Sequence, residues 1–320
     1  MRIIALMKIF CSRIFLDSDY VQNKNKLAII MLIMVSGLLQ VNDTFAAQLK
    51  AGVAKVNITN TESAAFIRDS TYVKALVFDN GLTRVVIIAV DLIGLPNSFL
   101  EDVRGKLQEE IKIRPENVLI NVSHLHGVSE CSDIVQRTVL AVKRALKLMV
   151  PVRVGVGKGY EDRIMENRRL RLKNGKEWTI RHANPLPSDQ EVTGTGPVDP
   201  ELGILRIDKK NGEPLAVVYN FACHPYQGVS RTGTTAGFYG FASKVIENNL
   251  NNGTIVLFLQ GFGGDIIPIL YKDVNSARDQ EPLGNMLGLN ILQTLKKIKA
   301  AESAELKIIR EIIMLNTNIR

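Results

Sequence analysis

Asn117-Val118-Leu119-Ile120-Asn121-Val122-Ser123-His124-Leu125-His126-Gly127 is the stretch from which the rest of the chain can be read. It follows the turn signal Arg114-Pro115-Glu116, and its first six residues are short, apolar and β-branched, which predicts a buried strand. The strand runs out into two of only four histidines in 320 residues. Strand side chains alternate between faces, so His124 and His126 are expected to point the same way. Two adjacent imidazoles can ligate one metal ion together, or one can ligate while the other moves protons. An isolated His-x-His also arises by chance on exposed loops, so its weight depends on what surrounds it.

Upstream, Asn97 to Lys112 predicts an amphipathic helix, with Asn97 or Ser98 as cap and Phe99, Leu100, Val103, Leu107 and Ile111 on one stripe. Before it, Tyr72–Phe78 and Arg84–Asp91 flank Asp79-Asn80-Gly81, a hairpin signal because Asn-Gly accepts positive φ. The run Val85–Val90 is apolar on both faces and reads as a central strand, ending in Asp91. A carboxylate there either orients a site histidine or caps its own loop. Leu49–Ile58 alternates as a half-buried strand does. Downstream, Ser132 or Asp133 caps a predicted helix that ends at Met149. The order strand, helix, strand, helix predicts an α/β fold, with mixed β-sheets layered with helices and the site at strand ends.

Pro151–Gly159 reads as a further strand, followed by a polar excursion to about Glu201, the length of a functional lid or a poorly ordered insert. It carries Arg168-Arg169, a pair able to fork onto a carbonyl or anionic oxygen if it is not simply solvated, and His182, read as an exposed loop residue. Leu202–Asp208 and Leu215–Phe221 predict a second hairpin, whose last strand runs into Cys223-His224-Pro225. A third histidine at a strand exit raises the metal reading: three imidazoles on neighbouring strand ends are the ingredients of a catalytic zinc site. Thr254–Gln260 predicts one more buried strand, opening into Gly261-Phe262-Gly263-Gly264-Asp265-Ile266-Ile267-Pro268. Its glycines suit either a tight turn or close approach of backbone N–H groups to an oxyanion, and it lacks the Lys-Ser/Thr ending of a phosphate loop. Glu305–Leu315 reads as a strand.

Residues 1–47 read as an export leader, with a basic flank at Lys24-Asn25-Lys26, an uncharged stretch of 13 residues from Leu27 to Leu39, and small residues for cleavage after Ala46. The alternative is an uncleaved membrane anchor, although a spanning helix needs about 20 apolar residues. The expected location is therefore periplasmic or secreted. The leader holds five Lys or Arg and three Asp, so about +6 of the chain's +8 belongs to residues 48–320, read as one catalytic domain. That mild basicity suits association with an anionic membrane surface. No basic cluster interleaved with aromatics points to nucleic acid, and nothing in the sequence sets the oligomeric state. Cys131 and Cys223, two of the three cysteines, could pair in an oxidising compartment.

Taken in order, several segments resemble the N-terminal catalytic domain of the neutral/alkaline ceramidase family. They are Ala51-Gly52-Val53-Ala54-Lys55-Val56, Val90-Asp91-Leu92-Ile93-Gly94, Ser123-His124-Leu125-His126, Asn167-Arg168, Asn220-Phe221-Ala222-Cys223-His224-Pro225 and Gln260-Gly261-Phe262-Gly263-Gly264-Asp265 with Pro268. The resemblance implies a zinc-dependent amidohydrolase that cleaves the N-acyl bond of ceramide or a similar lipid-like amide. It implies that His124 and His224 are zinc ligands, that His126 lies beside the metal in an acid/base or orienting role, and that Arg168 holds the carbonyl oxygen. The sequence departs from the family's pattern in three places. It stops at Arg320, before the Glu and Tyr that complete the family's zinc site, so the expectation is a C-terminally truncated member. Ile267 stands where ceramidases carry a serine. Gly127-Val128-Ser129 follows His126 in place of Ser-Gly-Pro, and Ala236-Gly237-Phe238-Tyr239-Gly240 lacks the acid of its family counterpart. The alternative reading is a truncated, non-catalytic relative with at most weak metal or lipid binding.

Overall fold

The structure, a computed structural model, describes residues 48–62, 66–126, 131–180, 187–225, 234–268, 280–302, 305–311 and 314. The predicted leader and His182 lie outside the described residues. An eight-stranded mixed sheet forms from β1 (Lys50–Asn57), β2 (Tyr72–Asp79), β3 (Arg84–Val90), β4 (Val118–Val122), β5 (Val150–Tyr160), β10 (Glu201–Lys209), β11 (Pro214–Phe221) and β12 (Ile255–Gln260). Its spatial order is β12-β11-β10-β5-β1-β2-β3-β4. Only the two outermost pairs are parallel, β3 with β4 and β11 with β12; the interior pairs are antiparallel. Each parallel pair is joined by a crossover helix, α1 (Asn97–Ile111) between β3 and β4, and α3 (Gly237–Leu250) between β11 and β12. A parallel pair demands such a crossover, so the α/β reading is borne out at both edges of the sheet.

The β2–β3 hairpin turns where Asn-Gly predicted it. Gly81 has φ 84°, and the Asn80 side-chain oxygen accepts from the backbone N–H groups of Leu82 and Thr83. The sheet curls until its edge strands meet. The Asn121 side chain on β4 donates to the Gln260 carbonyl and accepts from the Gln260 N–H on β12, standing in for a ladder that the strands do not form directly. Inside the curl lies an apolar layer that includes Val53, Leu76, Phe78, Val152, Ile207, Val218 and Leu257. The outer faces are covered by two helix pairs. Helices α1 and α2 (Ile134–Lys147) pack on β1–β4, whereas α3 and α4 (Gln280–Leu295) pack on β10–β12. Two glycines set these distances: a Cβ on Gly52 would come within 2.0 Å of the Ala145 carbonyl on α2, and one on Gly284 within 2.3 Å of the Phe238 carbonyl on α3.

Several expectations are corrected. Neither predicted side-chain cap is made: α1 starts after Pro96, and the Asp133 carboxylate reaches forward to Arg137 at 2.7 Å instead of back to the helix N–H groups. The excursion before Glu201 is built as structure. Strands β7 (Arg169–Leu172), β8 (Glu177–Thr179) and β9 (Val192–Thr195) form a small antiparallel sheet around buried Leu170, Ile180 and Ile267. Residues 305–311 form no strand, because no neighbouring strand offers them a ladder among the described residues and Ile309 is 88% exposed. Cys131 and Cys223 are free thiols, the second of them buried. Among the described residues, no helix is long and apolar enough to cross a membrane.

Candidate metal centre

The C-terminal ends of the two parallel pairs come together, and the histidines sit there. Past Val122 the chain stays beside the extension of β3, with Ser123 N–H donating to the Val90 carbonyl and Leu125 N–H to that of Leu92, each at 3.0 Å. His124, between them, takes a left-handed φ of 59°, so regular alternation is lost at that residue. His124 and His126 nevertheless face each other, with ring centroids 5.0 Å apart. The cause is a kinked backbone instead of the extended strand assumed from sequence. Leu125, fully buried between them, fastens the kink to the second core.

His224 arrives from β11 on the other side of the seam. Its N–H donates to the Ile266 carbonyl at 3.1 Å, in the short strand β13 (Ile266–Ile267). Strand β13 pairs with β6 (Glu166–Asn167), and this pairing carries Arg168 to the site, its N–H bonded to the Asp265 carbonyl at 2.8 Å. The glycine-rich turn is close packing as much as loop. A Cβ at Gly263 would lie 3.0 Å from the Cys223 backbone, so these glycines let one turn lie directly against the chain that holds His224. Ile267 is buried with Leu170 and Ile180.

Three imidazoles therefore converge. His224 lies 4.7 Å from His124 and 4.8 Å from His126 between ring centroids, and the Nε2 atoms of His126 and His224 are 2.7 Å apart. One potential ligand atom from each ring falls within 4.8 Å of the others, the spacing of a group able to hold a metal ion. His124 Nδ1 lies 2.8 Å from the Ile93 carbonyl. A carbonyl only accepts, so Nδ1 carries the proton and the lone pair is left on Nε2, the arrangement common among metal-ligating histidines.

The surroundings of His126 and His224 disfavour their charged forms. Burial pushes the His126 pKa below its usual value, and the charges of His124 and Arg168 add to the effect. His224 is pushed down to about 4 by burial first, then by His124, His126 and Arg168, against a backbone hydrogen bond with Gly263 that works the other way. A neutral imidazole can give a lone pair to a metal ion, whereas a protonated one cannot. Without metal, the unfolded chain takes protons at His224 below pH about 6.5 while the folded one resists until about 4, so stability should fall as pH drops across that window. The expected loss is on the order of 1 kcal/mol, discounted for partial solvation. Urea denaturation with chelator at both ends of the window would measure it. His224→Gln should flatten the slope; an unchanged slope would remove His224 as its source.

Asp91 does not orient a histidine. It is buried and accepts from Tyr72 N–H at 2.9 Å, so its role is nearer to loop capping. Features not foreseen from sequence support the site instead: the Ile93 carbonyl behind His124, and a buried hydrogen bond of 2.6 Å from the Tyr239 hydroxyl to Ser123 Oγ, next to His124. Asn167, also buried, donates to the Pro197 carbonyl at 2.7 Å and to the Asp265 carboxylate at 3.1 Å, tying the turn to the strand before Arg168. Carbonyl partners leave no trace in side-chain identity, although a buried Asn beside Arg168 was visible in its motif.

No protein-family model matches the chain, and no curated protein matches it in sequence. Among solved structures, a neutral ceramidase from Pseudomonas aeruginosa is similar over 79% of this chain, at 18% identity and a TM-score of 0.62, with 45% of that chain covered. A ceramidase complexed with C2 gives 79% coverage, 18% identity and a TM-score of 0.63, with 44% of that chain covered. The described part of this protein thus has the mixed α/β fold seen in ceramidase structures, and the chain spans less than half the length of those proteins.

Proposed function

We propose that this protein is a zinc-dependent amidohydrolase of ceramidase type, acting on the N-acyl bond of ceramide or a related lipid-like amide. The observation that supports it best is the convergence of His124, His126 and His224 at the strand ends of a ceramidase-like fold. On this reading His124 and His224 hold the zinc. His124 offers Nε2 because Ile93 fixes its tautomer, and the Gly263 backbone steadies His224. Zinc in such a setting supplies Lewis acidity, polarising a carbonyl and making water acidic near neutral pH. His126, 2.7 Å from His224, would take a proton from the attacking water and pass it to the leaving amine. Arg168, whose charge both rings sense, holds the carbonyl oxygen as negative charge develops on it. Ile267 offers no nucleophile, and its burial against Leu170 and Ile180 keeps it out of the chemistry. Water is then the attacking group. The N-terminal leader and export to the periplasm or outside the cell belong to the same reading, with the substrate presented at a membrane surface.

A specific observation favours the second reading, a non-catalytic relative that binds metal weakly. Among the described residues, no carboxylate joins the three imidazoles. Hydrolysis of an N-acyl sphingosine, followed by release of the free amine, separates the two. The amidohydrolase reading expects turnover that a chelator abolishes and zinc restores. Absence of turnover in zinc-loaded, folded protein would favour the second.

A further inference from the structure

A second polar site lies on the inner face of the sheet. The register places Lys55 directly opposite Lys74, and Tyr72 falls on the same face by the period of the strand. With Asp91 from the end of β3 and Lys244 and Glu247 from α3, these residues line a cavity of about 360 Å³ that includes none of the three histidines. Like charges opposite one another on a ladder repel, so the pair needs compensation.

Only one of the two lysines receives it directly. Lys55 Nζ pairs with Glu247 at 2.8 Å and sits 5.3 Å from the centre of the Tyr72 ring. Lys74 is only 5% exposed and, among the described residues, its ammonium makes no hydrogen bond or ion pair, although its charge and that of Asp91 interact. The carboxylates nearby each already have a partner in the protein. Glu247 also accepts from Val256 N–H at 3.1 Å, Asp91 accepts from Tyr72 N–H at 2.9 Å, and Asp69 accepts from the Thr235 hydroxyl at 2.7 Å. Lys244 stands at the rim as a second cation without a partner among the described residues. A lysine this buried, with no direct partner and a cavity in front of it, can take a ligand that brings its own acceptors.

We propose that the cavity binds a small oxyanion, a carboxylate or a phosphate, held by Lys74 at its base and Lys244 at its rim. The volume exceeds that of a bare ion and admits a small organic molecule bearing the oxyanion. This site is independent of the metal reading.

The test is thermal unfolding of the full chain titrated with sodium phosphate or sodium acetate, with sodium chloride holding ionic strength constant. The expected result is a saturable rise in Tm with at least one of the two anions, and which of them acts identifies the class. Lys74→Met should weaken the response at least tenfold; because it also deprives buried Asp91 of the Lys74 charge, the response is read as the rise in Tm above the variant's own anion-free value. Lys244→Ala, at an exposed position, should also weaken the response while folding normally. His124→Ala should leave it intact, which separates this cavity from anion capture at a metal. No saturable rise with either anion, or an equal rise in the wild type and both lysine variants, would overturn the proposal.

Discussion

Replacing His124 or His224 by alanine is expected to strip zinc from the purified protein, while substitution of His182 leaves zinc content unchanged. Each of the two contributes one Nε2 to the cluster, and their rings stand 4.7 Å apart between centroids. Loss of a ligand should exceed the roughly 10–100-fold loss of affinity typical when an outer hydrogen-bond partner of a metal site is removed. Hydrolysis should disappear with the metal. Elemental analysis beside circular dichroism reads both metal and fold. Equal zinc in all three variants would remove these histidines as ligands.

His126→Gln is the second large effect, of a different kind. If His126 moves a proton without holding the metal, turnover should fall by about 10²–10⁴ while zinc content stays near wild type. Arg168→Ala should give a similar pattern through loss of the oxyanion contact, at roughly 10²–10³. Single-turnover rates on an N-acyl substrate, with metal content measured on the same samples, distinguish these outcomes. If His126→Gln sheds zinc as His124→Ala does, His126 is a third ligand.

The parts of the fold legible in sequence were those with a local cause. Asn80-Gly81 fixed the hairpin because its turn needs positive φ, and the β4 run from Val118 was readable because its apolar residues end abruptly in polar ones. Helices α3 and α4 were missed although each carries an apolar stripe. Phe238, Ala242 and Ile246 recur at helical spacing, as do Leu287, Ile291 and Leu295, but glycines at 237, 240, 284 and 288 weaken the helical signal. The structure gives two of those glycines a packing cause: Gly284 and Gly288 have no room for a Cβ where α4 meets α3.

For the site, the three histidines were legible because each follows an apolar run, although β4, predicted as buried, is an edge strand with Leu119 51% exposed; their convergence was not legible. It depends on Asn121 bridging β4 to β12 and on β13 pairing with β6, contacts between residues far apart in sequence. The assumption that His124 and His126 share a strand face reached the right neighbours by the wrong geometry, since the left-handed turn at His124 brings the rings together. Asp91 was drawn toward the histidines by its position after β3, and the Tyr72 N–H and the inner cavity claim it instead. Lys74 gave no warning, because a lysine in an alternating strand ordinarily faces water, and a curled sheet turns that face inward.

The central claim is that His124, His126 and His224 form a zinc centre, and metal content of the wild-type protein tests it most directly. After incubation with zinc and removal of excess by gel filtration, the account predicts close to one zinc per folded chain, lost on treatment with a strong chelator. Folded protein that emerges without zinc would contradict it, and the amidohydrolase reading would fall with it.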